Sequence, residues 1–182
     1  CTAIGIIEVL REKGWVISHK AIVEGFRDVS WPCRMEILTR NPLIVVDGAH
    51  NPAAIRRLCQ SLSGYFKYRR LILIFGASLD KDISAMTDEL LHLEPLVFTV
   101  QSGHPRAASA PDLETLFNAR GLKACSVSTI SEALKLATEE FSPGDLILVA
   151  GSLFVAAAVR SIVLEIEEEV YPAFSSVQKK SI

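Results

Sequence analysis

Five apolar runs constrain this chain more than any other feature. They are "LIVVD" (43–47), "LILIFG" (71–76), "LVFTV" (96–100), "ACSVS" (124–128) and "LILVAG" (146–151). A strand that alternates apolar and polar residues buries one face, whereas a continuous apolar run is buried on both. Burial on both faces marks a parallel sheet with helices packed on each side. The segments between the runs carry the helical spacing such a cover needs: 52–64, 82–92, 111–119 and 131–141, then a closing helix from 153 to 169. In the first, Ile55, Leu58, Cys59 and Leu62 form the apolar stripe; in the fourth, Leu134, Ala137 and Phe141 do. "MEIL" and "LIVVD" flank "TRNP", a hairpin turn, so the first strand pair should be antiparallel. The expected fold is α/β: doubly wound and Rossmann-like, mostly parallel, with one antiparallel edge strand.

The first 29 residues follow a different rhythm. "CTAIGIIEVLREKG" places Ile4, Ile7 and Leu10 on one helical face and stops at Gly14. "ISHKAIVEGF" opens on Ser18 as a helix N-cap. No strand lies between these helices. In "VSWPCR", Pro32 forbids helix and biases Trp31 towards extended backbone, so a domain boundary falls there. The expected organisation is a helical end of a neighbouring domain (1–29), a linker (30–34), the α/β domain (35–170) and a loose tail (171–182). The chain starts at Cys1 inside an apolar run, as a fragment of something longer would.

Composition removes several function classes. With 19 basic against 21 acidic residues there is no electrostatic footprint of a nucleic-acid binder. Cys1, Cys33, Cys59 and Cys125 form no C-x-x-C pair and have no histidines at ligand spacing. They read as reduced thiols of a cytoplasmic protein. The most membrane-like stretch, 146–159, is interrupted by Gly151-Ser152 and falls short of the roughly 20 apolar residues a span requires. A strand feeding a buried helix is the better reading, and no membrane partner is expected.

In an open parallel sheet, ligands bind outside the carboxyl ends of the strands. "DGAHN", "ASLDKD", "QSGHPR" and "GS" follow four of these strands at that edge, which collects Asp47, His50, Asp80, Lys81, Asp82, His104, Arg106 and Ser152. His19 and His92 lie on helices instead. Several of these have structural explanations. Asn51-Pro52 is a helix start, with Asn51 as N-cap and Pro52 in the first turn. Asp82 is well placed to cap the next helix, and Gly48 can supply an unusual torsion. Asp47 at a helix N-terminus would repel phosphate, so it suits ribose hydroxyls or a metal-bound group better. His50 has no comparable structural role, beyond the solvated turn that loops commonly provide. The chain contains no G-x-x-x-x-G-K-[ST], no G-x-G-x-x-G and no G-x-S-x-G. P-loop, dinucleotide and serine-hydrolase readings therefore lack support.

"WPCRMEIL…NPLIVVDGAHNPAAIRRL", with "FGASLDKDI", "HPRAAS" and "GSLFVAAAVR", resembles the C-terminal domain of folylpolyglutamate synthase, often bifunctional with dihydrofolate synthase, in the Mur ligase superfamily. The resemblance covers nearly the whole chain, and residues 1–29 resemble the last helices of that family's central ATPase domain. Peptidoglycan relatives usually carry tyrosine where Gly48 stands. One departure is visible, because Cys33 replaces the glycine of the family's W-P-G-R. If that glycine serves a positive torsion, the geometry around Arg34 changes with it.

The resemblance implies a monomeric ligase of separable parts. Its other domains supply the P-loop, the magnesium sites and most of the folate pocket. ATP phosphorylates a carboxylate of folate-linked glutamate or of dihydropteroate, and the amine of L-glutamate attacks the acyl phosphate. By match, Arg34 contacts ATP phosphate and Asp47 the ribose side. His50, read as the catalytic group, faces the incoming glutamate together with Ser152, and Arg106 is a weaker match to the loop that reads the added amino acid. ATP and Mg2+ are the implied cofactors, with no metal ligand in this stretch, and the isolated fragment is expected to be inactive. Two alternatives stay open: a Mur-type or cyanophycin-type ligase with another acceptor, and a non-catalytic α/β module that binds a nucleotide or a protein partner.

Overall fold

The computed structural model describes residues 2–166 and divides into two units, the first ending at Trp31 and the second starting at Pro32. In the first, α1 (Thr2–Glu12) and α2 (His19–Asp28) stand on either side of Gly14, whose φ of 90° ends the first helix. Ser18 caps α2 by accepting a hydrogen bond from the Ala21 amide.

The second unit is a six-stranded sheet: β1 (Glu36–Arg40), β2 (Leu43–Val46), β3 (Leu71–Phe75), β4 (Leu96–Thr99), β5 (Ala124–Ser126) and β6 (Leu146–Ala150). The order is β1-β2-β6-β3-β4-β5. β1 pairs antiparallel with β2, and every other pairing is parallel. The α/β, doubly wound fold with one antiparallel edge pair is thus present. Every residue of β3 and β6 is buried, which is why both read as unbroken apolar runs.

The helices divide between the two faces. α3 (Pro52–Tyr65), α4 (Ile83–Leu90) and α5 (Ala110–Asn118) pack with Leu73, Phe75 and Leu148 on one side. α6 (Ile130–Glu140) and α7 (Leu153–Leu164) pack with Ile72, Ile74 and Val149 on the other. Phe75 of the sheet meets Phe117 of α5 edge to face at 5.1 Å. The stripes on α3 and α6 are buried as the spacing requires, with Phe141 only half-buried.

Three element ends differ from the sequence expectation. The segment 82–92 is α4 followed by a 3-10 turn at Leu91–Leu93, because Glu94 turns left-handed (φ 44°) ahead of Pro95. The closing helix stops at Leu164, where Glu165 takes the left-handed cap conformation (φ 53°). Residues 167–169 of the expected helix, and the expected tail at 171–182, lie outside the described residues. The run 124–128 is strand only over Ala124–Ser126, at the sheet edge.

At the amino-terminal edge of the central strands, Asp145 is fully buried by its side chain and accepts from Arg69, Arg70 and the Ser142 amide. Burial alone would raise its pKa, but those hydrogen bonds outweigh it and hold the carboxyl below the usual range. No described helix is long and apolar enough to cross a membrane.

Candidate functional site

The carboxyl edge is assembled around the first turn of α7. The Gly151 amide donates to the Ala49 carbonyl, and the Asp47 amide donates to Val149 on β6, so the 47–51 loop is tied to the 149–152 corner. Gly151 sits at φ +94° with the Phe75 ring and the Gly76 carbonyl against it, a corner that only glycine fills. Ser152 follows as the N-cap of α7, yet its hydroxyl makes no capping bond, and the residue is 4% exposed. Two residues on, Phe154 stacks on His104 at 4.6 Å, which brings the loop after β4 to the same corner. The loops after β3 and β4 are joined in turn by a bridge between Ser78 and Ala107 and by the Leu79 amide donating to the Arg106 carbonyl.

Asp47 does more than sit at a helix start. One carboxylate oxygen accepts from the Ala49 amide at 2.8 Å and the other from the Met35 amide at 2.9 Å. The Cys33 carbonyl accepts from the Gly48 amide at 2.7 Å. The end of the segment read as a linker is therefore bonded into the α/β unit at Cys33, which is part of its core. Burial pushes the Cys33 thiol pKa up, with the nearby Glu36 carboxylate adding to the shift. Cys33 has φ 57° and Met35 φ 47°, so the position where the family pattern has glycine is left-handed here, and Arg34 projects exposed between two such residues.

The two histidines of this edge present opposite chemistry. His50 is exposed, with Nδ1 2.8 Å from the Gly48 carbonyl. A carbonyl only accepts, so Nδ1 carries the proton and Nε2 of the neutral ring is an acceptor. His104 Nδ1 accepts from the Arg106 amide at 3.1 Å, which leaves Nε2–H as a donor. Sequence reasoning had not joined His104 to Phe154, because nothing in a pattern pairs residues from separate loops.

Arg106 is 63% exposed and its guanidinium lies 3.2 Å from Asp80, which also takes Lys81 at 3.1 Å. The hydrogen bond from Lys81, with Arg106 nearby, holds the Asp80 carboxyl below its ordinary pKa. Asp82 and Asn51 are both N-caps, accepting from the Ala85 and Ala54 amides. Arg34, Asp47, His50 and Ser152 thus lie on one bonded framework, and Arg106 lies on the adjoining loop pair. Among the described residues no group of three or more His, Cys, Asp or Glu side chains is arranged to hold a metal ion.

Residues 33–153 match the model of the Mur ligase, glutamate ligase domain family. The chain is 35% identical over 158 residues to a probable bifunctional folylpolyglutamate synthase/dihydropteroate synthase of Halobacterium salinarum, covering 86% of this chain and 19% of that protein. It is also 35% identical over 155 residues to the folylpolyglutamate synthase of Lacticaseibacillus casei, covering 85% of this chain and 35% of that one. The chain therefore spans about a third or less of the curated relatives it matches. Among solved structures it resembles Escherichia coli FolC in complex with ADP, without folate substrate, at TM-score 0.79 and 26% identity, over 87% of this chain and 38% of that one. With fold, edge and family model in agreement, the chain belongs to the Mur ligase, glutamate ligase domain family.

Proposed function

We propose that this chain is the C-terminal, closing part of an ATP-dependent ligase that adds L-glutamate to a folate, or to dihydropteroate, through an acyl phosphate. The observation that carries the reading is the placement of the Arg34 turn, His50 and Ser152 on one hydrogen-bonded framework at the ligand edge of the sheet. Similarity to folylpolyglutamate synthase of Lacticaseibacillus casei and to an ADP complex of FolC supports the substrate class.

Each residue has chemistry suited to a role. Arg34 is an exposed guanidinium whose planar donors match phosphate oxygens, and it stands on a turn fixed from both ends. The Asp47 oxygens each accept one backbone amide and retain a second lone pair, which a ribose hydroxyl can occupy. With Nδ1–H on the Gly48 carbonyl, the uncharged form of His50 offers an acceptor at Nε2, which fits the ammonium of an incoming amino acid and the proton it must lose to become a nucleophile. The Ser152 hydroxyl, free of capping duty at the start of a twelve-residue helix, suits a carboxylate. Arg106 meets Asp80 through Nη1, and the remaining donors of its exposed guanidinium suit a second carboxylate. The resemblance assigns the magnesium sites to the other domains, and no step through magnesium is derived for this chain. Catalysis here is positioning and charge stabilisation.

Residues 1–29 are read as the end of the neighbouring ATPase domain, and residues 35–170 as a monomeric closing domain that acts against nucleotide held elsewhere. Glutamate addition by the full-length polypeptide tests this. His50→Ala should raise KM for glutamate and lower kcat, and Arg34→Ala should lower kcat/KM for ATP. Normal kinetics in both variants, or turnover of a muropeptide in place of folate, would refute the reading. Titration calorimetry of the 182-residue chain with ATP should show no micromolar binding.

A further inference from the structure

We infer that Glu36 and Arg160 are positioning residues for Arg34, forming a strut from helix α7 to the turn that carries the guanidinium. This rests on the reading of Arg34 as the phosphate contact.

Cys33 and Met35, on either side of Arg34, both occupy left-handed backbone, at φ 57° and 47°. Each such residue costs about 1–2 kcal/mol when it carries a β-carbon, and the strain persists only where surrounding bonds over-determine it. Three bonds do so here. Asp47 holds the Met35 amide, the Gly48 amide holds the Cys33 carbonyl, and Glu36 Oε2 accepts the Cys33 amide at 2.8 Å. The first two belong to the loop after β2. The third comes from Glu36, whose two carboxylate oxygens each lie 3.0 Å from Nε of Arg160.

Stability alone is a poor reason for this pair. Arg160 and Glu36 are 26% and 23% exposed by side chain, and ion pairs reached by water contribute only about 0–1 kcal/mol. Their distinctive property is connectivity. Helix α7 places Ser152 at its first turn and Arg160 two turns further on, so one rigid element touches the corner proposed for the amino acid and the turn proposed for phosphate. If Glu36 is removed, the Cys33 amide loses its acceptor, the strained torsion is free to relax, and Arg34 loses its fixed origin. A misplacement of about 1 Å in such a group can cost 100-fold in rate.

The test varies ATP and glutamate separately in the full-length ligase. Arg34→Ala should lower kcat/KM for ATP by about 100-fold, and Glu36→Ala by about tenfold with KM for glutamate within about twofold. Glu36→Gln keeps an oxygen for the Cys33 amide and should recover to within about threefold. Arg160→Met, which retains the aliphatic stem, should show the same ATP-selective loss and serves if Glu36→Ala does not fold. In the 182-residue chain, Glu36→Ala should speed hydrogen exchange at the Cys33, Met35 and Gly48 amides while those of β3 keep their rates. A folded Glu36→Ala or Arg160→Met enzyme with wild-type ATP kinetics overturns the strut while leaving Arg34 in its role. Equal losses for ATP and glutamate do the same. Unchanged ATP kinetics in Arg34→Ala removes the phosphate reading and the strut with it.

Discussion

Replacing Gly151 by alanine should cost more stability than any other single methyl added at this edge. The residue turns the chain from β6 into α7 at φ +94°, where a β-carbon is strained by about 1–3 kcal/mol. That β-carbon would also lie 2.5 Å from Cε2 of Phe75 and still closer to the Gly76 carbonyl, a backbone atom that cannot swing aside. Overpacking of this kind adds about 1–3 kcal/mol, and the reduced freedom of the unfolded chain returns about 0.5–1. The net loss is about 3 kcal/mol, which for a domain of this size lowers Tm by about 6–12 °C. Gly48→Ala is the control. Its new methyl would meet Leu153 Cδ1 at 2.9 Å, the end of a flexible side chain that is 53% exposed, so the cost should stay below about 1 kcal/mol. Urea denaturation of both variants in the 182-residue chain measures the difference. A Gly151→Ala loss below about 1 kcal/mol, or one no larger than that of Gly48→Ala, would show that the corner is not closed by the Gly76–Phe75 contact.

Two further outcomes follow from ionisation and burial. Asp145 has a folded-state pKa below its unfolded value, so its contribution is present above the unfolded pKa and is lost as pH falls through the folded one. Asp145→Asn should therefore be less stable than wild type at neutral pH, and the gap should shrink in acid below the carboxylate range, as denaturation midpoints against pH will show. Burial raises the Cys59 thiol to about 11 and also raises that of Cys33, whereas Cys125 is exposed. At pH 8 an alkylating reagent should modify Cys125 in the native protein and reach Cys33 and Cys59 only on unfolding, a difference peptide mass spectrometry resolves.

Much of the fold was legible because local signals and burial agree. β3 and β6 are buried on both faces, and their apolar runs have no gaps. Ser18, Asn51 and Asp82 each cap the helix that their residue type and position indicate. Ser152 looks the same in sequence but does not cap, since that depends on a side-chain rotation no pattern encodes. The order of strands was not legible either, because parallel pairing depends on contacts between distant segments. For the candidate site, Arg34, Asp47, His50 and Ser152 emerged from a topological rule and a resemblance. The same comparison raised the question of a positive torsion at Cys33, and φ there is 57°. Glu36 and Arg160 gave no signal, because they are separated by 124 residues and each looks like an ordinary surface charge. The opposed tautomers of His50 and His104 depend on single backbone contacts and are invisible to composition.

The place of β6 in the sheet has a consequence for how the molecule is made. Among the described residues it is the last strand, yet it lies between β2 and β3, which do not pair with each other. Until residues 146–150 leave the ribosome, β1–β2 and β3–β4–β5 are separate ribbons, each with an apolar inner edge open to a foreign strand. Closure waits on the most distant segment, so folding of this unit should be slow for its length and should follow synthesis of β6. A nascent chain stalled before that strand is an aggregation hazard in a way the finished domain is not.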